Sequence, residues 1–200
     1  MKNLTIILFL ITLCSCNHAV KKHSISQHNQ PIVDYIESFI NKDSVILVHE
    51  RKLSIARAIK TIKVGHLFDP KEKRYNRSFI ESNYYKEQAW NALNQKYYND
   101  TIVENWGNRD FIFPYKIITH KHVMDIFNNP ESYDYKNRKR VFSFSNTLYY
   151  NNNQYAMFSI NIAGNIVLSE SIEDVLVIMK KKKEKWVVTD KVYNDPFINP

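Results

Sequence analysis

Glycine is nearly absent from this chain: only three occur in 200 residues. Phosphate cradles of the P-loop or dinucleotide type need several glycines within a few positions, so nucleotide binding through such a loop is excluded. Cysteine is equally scarce. The two present, Cys14 and Cys16, both fall in the first sixteen residues. Everything after them has no thiol to close a disulfide, complete a zinc cluster or attack a substrate. Neither G-x-S-x-G nor S-x-x-K occurs, which removes two serine-nucleophile signatures. No apolar run approaches the roughly 20 residues that span a bilayer. Acidic residues are outnumbered, 20 against 28 Lys and Arg, leaving a net charge of +8.

The informative segment is the N-terminus. Lys2 supplies a positive start, and Ile6, Ile7, Leu8, Phe9, Leu10, Ile11 and Leu13 form a short apolar run. That length suits a signal peptide rather than a membrane span. Leu13-Cys14-Ser15-Cys16 follows and resembles the bacterial lipobox: an aliphatic residue, two small residues, then a cysteine whose thiolate takes the diacylglycerol group. The expected organisation is a signal peptide over 1–15, a lipidated Cys16 with a polar tether over 16–30, and one domain over 31–200. An ordinary secretory signal cut elsewhere is the alternative. The tether histidines His18, His23 and His28 are expected to be solvated, because a flexible segment does not fix ligand geometry.

Within the domain, Pro31 marks a helix start, with Ile32, Val33, Ile36, Phe39 and Ile40 at helical spacing. Asp34 and Glu37 lie where the helix dipole favours acids. A short strand is expected over 44–48 and a helix over 53–62, followed by a basic loop through Lys71, Lys73, Arg74 and Arg77. Residues 84–98 predict a helix whose stripe is Tyr85, Ala89, Leu93 and Tyr97. Another is expected over 119–127, capped by Thr119, with Val123, Ile126 and Phe127 buried. The last third changes to strand period. Residues 141–149 alternate, Ala156, Phe158, Ile160 and Ile162 share a face, 175–179 is almost wholly apolar, and Trp186, Val188 and Val192 belong to a final strand. The fold class expected is α+β: N-terminal helices packed on one face of a C-terminal antiparallel β-meander.

Several motifs invite chemistry. His120 and His122 flank Lys121, but on a helix the two imidazoles point about 200° apart, so no metal site and no cofactor is expected. The loop Trp106-Gly107-Asn108-Arg109-Asp110 holds an aromatic, a cation and a carboxylate, yet Trp106 is expected in the core with Arg109 paired to Asp110. The carboxylate pairs Glu81 and Glu87, or Glu104 and Asp110, would serve a glycosidase only if the fold set them at the right separation. Two basic clusters remain, Arg138, Lys139 and Arg140 before one strand, and Lys180, Lys181, Lys182 and Lys183 between two others. If they share a sheet end they make a surface for anionic lipid or an acidic envelope polymer.

From about Trp106 onward the chain resembles a group of uncharacterised exported bacterial lipoproteins. The residues that carry this are Phe113-Pro114-Tyr115-Lys116-Ile117-Ile118, Asp125-Ile126-Phe127, Phe144-Ser145, Tyr155-Ala156-Met157-Phe158 and Lys185-Trp186-Val187-Val188. The resemblance implies an α+β lipoprotein domain and no particular activity. The expectation is a membrane-anchored envelope lipoprotein with a non-catalytic binding or structural role. It would be held to the membrane by lipid, with no nucleic-acid partner. The alternative is an envelope hydrolase acting on peptidoglycan or glycans. Asn17 after the lipidated cysteine, with no acid before Asp34, favours the outer membrane and a domain facing the periplasm.

Overall fold

The computed structural model describes residues 27–41, 44–64, 66–69, 74–132, 139–166 and 171–193. The signal segment, Cys16, most of the tether and Arg138 lie outside them. Among the described residues, four α-helices and nine strands follow in the order α1 Gln30–Glu37, β1 Ile46–His49, α2 Ile55–Val64, β2 His66–Asp69, β3 Arg74–Ser78, α3 Glu87–Tyr97, β4 Tyr115–Ile118, α4 His120–Asn128, β5 Val141–Phe144, β6 Leu148–Tyr150, β7 Tyr155–Ala163, β8 Ser171–Lys182 and β9 Lys185–Tyr193. The class is α+β. All the strands join one sheet, in the order β3-β2-β9-β8-β7-β5-β1-β4, with β6 also paired to β7.

The last strands run antiparallel and in sequence, but the sheet as a whole is mixed rather than a meander. β1 inserts between β4 and β5, parallel to both. At the other edge β2 pairs antiparallel with β9 and with β3. Two antiparallel strands thus stand where the sequence predicted a helix end and the Arg74 and Arg77 part of a basic loop, while Lys71 and Lys73 lie outside the described residues. The helices also cover both faces, not one. On the first face α1 packs Ile32, Val33, Tyr35 and Ile36 against Phe142, Phe144, Phe158, Ile160, Val177 and Trp186. On the second, Ala58, Ile59 and Ile62 of α2 meet Leu148, Tyr150, Met157, Leu176, Ile178 and Val192, with the stripe of α3 outside them. The reason is in β8, where Val175–Met179 are all buried. Five consecutive buried side chains point alternately to both faces, so both need cover.

Two bulges set which side chains meet which layer. Phe144 pairs with Ile160 and Leu148 with Met157, so one edge of β7 faces a strand with an extra residue between β5 and β6. Ser145 fills the break: its amide donates to the Ser159 carbonyl at 3.0 Å, and its Oγ accepts from the Ser159 amide at 2.9 Å. In β9 the register shifts between Ile178 and Met179, where Asp190 and Val188 are their partners. Each inserted residue reverses the facing of everything beyond it. That is why Trp186 joins the first core and Val192 the second, although both numbers are even.

The helix boundaries follow local chemistry. Pro31 lies in the first turn of α1. Thr119 caps α4, accepting from the His122 amide at 3.2 Å. Val123 and Ile126 are buried as expected, but Phe127 is 63% exposed, and so is Phe39 beyond α1 at 48%. Domain packing begins before Pro31: Asn29 is buried and its amide donates to the Asp110 carbonyl at 3.2 Å.

Candidate functional site

The end of the sheet formed by the β6–β7 turn and the β8–β9 turn gathers the most unusual surface. Asn151, Asn152 and Asn153 all adopt positive φ in the first turn, and Lys183 does so in the second. Asparagine tolerates this conformation better than other non-glycine residues, which suits a chain with so little glycine. Lys180, Lys181, Lys182 and Lys183 are exposed and project from the second turn. Lys180 lies over the Tyr155 ring at 5.6 Å and Lys181 over the Trp186 ring at 5.9 Å, so the cations fan to both faces of the sheet.

A groove of about 530 Å³ opens beside this turn, lined by His28, Gln30, Tyr149, Asn153, Lys181, Glu184 and Trp186. The Tyr149 hydroxyl donates to the His28 carbonyl at 3.1 Å, and the two rings lie 5.3 Å apart. The chain therefore enters the domain at the lysine-bearing end. On the other side of Trp186 a second groove is lined by Asp34, Glu37, Ser38, Lys185, Val187 and Val188. Asp34 is fully engaged there, accepting from the Trp186 amide at 2.6 Å and from Gln30 Nε2 at 2.9 Å.

The other basic cluster is elsewhere. Val141, next to Arg140, pairs with Ala163 at one end of β7, whereas Lys180 pairs with Tyr155 at the other. Eight residue steps separate these points, roughly 26 Å at about 3.3 Å per residue. Lys139 and Arg140 are exposed at that far end, so the structure does not bring the two clusters onto one surface.

Three of the four carboxylates considered from sequence are occupied by structural bonds, and Glu87 is exposed at the start of α3. Glu81 accepts from the Ser78 amide at 2.9 Å in a capping box. Glu104 accepts from Lys52 Nζ and from Asn146 Nδ2, each at 2.7 Å. The Lys52 hydrogen bond first, and the Asn146 bond second, hold the Glu104 carboxyl below its usual range. Lys52 also lies 4.4 Å over the Trp106 ring, and Trp106 is buried with its indole N–H donating to the Phe144 carbonyl at 3.3 Å. Asp110 accepts from the Gly107 amide at 2.6 Å and does not pair with Arg109, which is exposed. The expected Arg109–Asp110 pair is replaced by this loop-closing bond.

His49, absent from the motifs weighed above, ends β1 and lies beside His120 at the start of α4. His49 is 7% exposed, and its ring centre is 5.9 Å from that of His120. His49 Nε2 and His120 Nδ1 are both buried without a hydrogen-bond partner. Burial, then the neighbouring His120, pushes the His49 imidazole below its ordinary pKa. The signal available in the sequence was the histidine closing an apolar strand, but nothing there placed it beside His120 rather than His122.

Comparison with known protein families, curated proteins and solved structures finds no match to this chain.

Proposed function

We propose that this protein is an envelope lipoprotein, acylated at Cys16, that works by binding rather than by catalysis, with its β8–β9 turn directed at the membrane. The observation that carries the orientation is the shared groove: His28, where the chain arrives from the tether, and Lys181 line the same depression. Twelve residues from Cys16 to His28 reach at most roughly 40 Å at about 3.5 Å each. A lipid at Cys16 thus holds the lysine-bearing end within reach of headgroups, while Lys139 and Arg140 lie at the far end. Each lysine close to an anionic surface contributes about 1 kcal/mol, falling off beyond about 8 Å at physiological salt. Four lysines in one turn supply a useful contact only when tethered, which fits a domain that is also lipid-anchored. An acidic envelope polymer offers the same charge complementarity.

The binding reading is supported over the hydrolase by the state of the carboxylates. Glu81, Glu104 and Asp110 each serve a structural bond, and Asp34, which shares a groove with Glu37, has both oxygens engaged.

Two measurements test this. Labelled fatty acid should enter the wild-type chain and not Cys16→Ala; label in that variant contradicts lipidation. The unlipidated domain should bind vesicles containing anionic lipid at low salt, and replacing Lys180–Lys183 by glutamine should abolish this. Replacing Lys139 and Arg140 should change it little. Equal loss from both variants contradicts the orientation.

A further inference from the structure

We propose that His49 and His120 form a two-imidazole site for monovalent copper. Each ring has one buried nitrogen with no partner, and such nitrogens are costly to leave empty. Both rings are held by regular structure. His49 closes β1, a strand flanked on both sides by β4 and β5. His120 opens α4, where its amide donates to Glu50 Oε1 at 2.6 Å and Thr119 caps the first turn. Preorganised ligands on a strand and a helix make a more precise site than ligands on loops.

The ring spacing leaves room for one ion between the two imidazoles. An ion about 2.0 Å from one nitrogen of each ring sits about 3.1 Å from each ring centre. A tetrahedral angle would then place the centres about 5.1 Å apart, and a linear arrangement about 6.2 Å. The observed 5.9 Å lies toward the linear end. Among the described residues no group of three or more His, Cys, Asp or Glu surrounds a common point. Among the described residues a closed four-ligand zinc site lacks its third and fourth side chains, whereas monovalent copper accepts two imidazoles alone, and imidazole is a good copper ligand.

The test uses the full chain in detergent with Cys14→Ser and Cys16→Ser, which removes thiols that would compete for the ion. Under reducing, anaerobic conditions it should withhold one equivalent of Cu(I) from a chromogenic chelator and melt at a higher temperature with copper than without. His120→Gln should weaken retention at least tenfold and lose the thermal shift, while His122→Gln and the joint replacement of His18, His23 and His28 by asparagine should retain both. His49→Gln should match His120→Gln; if the buried substitution prevents folding, His120→Gln at the partly exposed position decides alone. No retention by the parent, or equal retention by the parent and His120→Gln, overturns the proposal and leaves a water between the two rings.

Discussion

Lys183 holds φ of 55° at the tip between β8 and β9, a conformation that costs an ordinary side chain roughly 1–2 kcal/mol. Lys183→Gly should therefore stabilise the domain by up to about 1 kcal/mol, the gain reduced by glycine's greater freedom when unfolded. Equilibrium denaturation checks this, and a destabilised variant would contradict the strain. His49 gives a second residue-scale prediction. Its folded pKa lies below the ordinary 6.5 because of burial and of His120. The neutral form suits the fold, so its contribution is intact above pH 6.5. As pH falls below that, the unfolded chain takes up a proton that the folded chain resists, and stability drops until the folded pKa is reached. Unfolding free energy measured from pH 7.5 to 5 should show this slope, flattened in His49→Gln; identical slopes would place His49 outside the titration.

At the scale of elements, what could be read from the sequence depended on period and length. The alternation in 155–163 and the apolar run 175–179 identified two central strands correctly, and Pro31 and Thr119 located two helix starts. The bulges were not legible: Ser145 and the step between Val188 and Asp190 look like unbroken alternation, yet each turns the following residues over. Parallel pairing of β1 was not legible either, since a four-residue apolar strand carries no mark of its neighbours' direction. The β2–β3 hairpin escaped because its charged residues and Pro70 look like loop chemistry. Trp186 tests the register account. It is 7% exposed, donates its amide to Asp34 and belongs to the first core, so Trp186→Ala should cost about 3–5 kcal/mol. A loss below about 0.5 kcal/mol would mean that the bulge does not turn the ring inward. Lys191 joins the same layer from β9, donating to Glu173 and lying 5.4 Å over the Tyr35 ring of α1. Burial opposes its charge, but hydrogen bonds to Glu173 and Tyr35 outweigh that and raise its pKa well above the usual lysine range. Lys191→Met should loosen α1 from the sheet, seen as faster amide exchange in α1 than in α2; unchanged exchange would make the pair a surface ornament.

For the whole molecule, the sheet separates two basic ends that the sequence could only list together. One end receives the chain at His28 and carries Lys180–Lys183; the other carries Lys139 and Arg140. The candidate copper pair was illegible for the same reason: His49 and His120 meet only because β1 and β4 lie side by side. A chain beginning at Gln27 should fold reversibly and without redox dependence, because no cysteine follows residue 16; failure to fold would mean that the preceding segment contributes to the core. Site-specific quenching reads out the orientation at the membrane. The proposed acylation would leave the mature protein's one cysteine under lipid, so Lys183→Cys and Arg140→Cys would each create a single labelling site. With lipidated protein in vesicles carrying a headgroup quencher, a fluorophore at position 183 should be quenched strongly and one at position 140 weakly. Equal quenching at both positions, or stronger quenching at 140, would contradict the account.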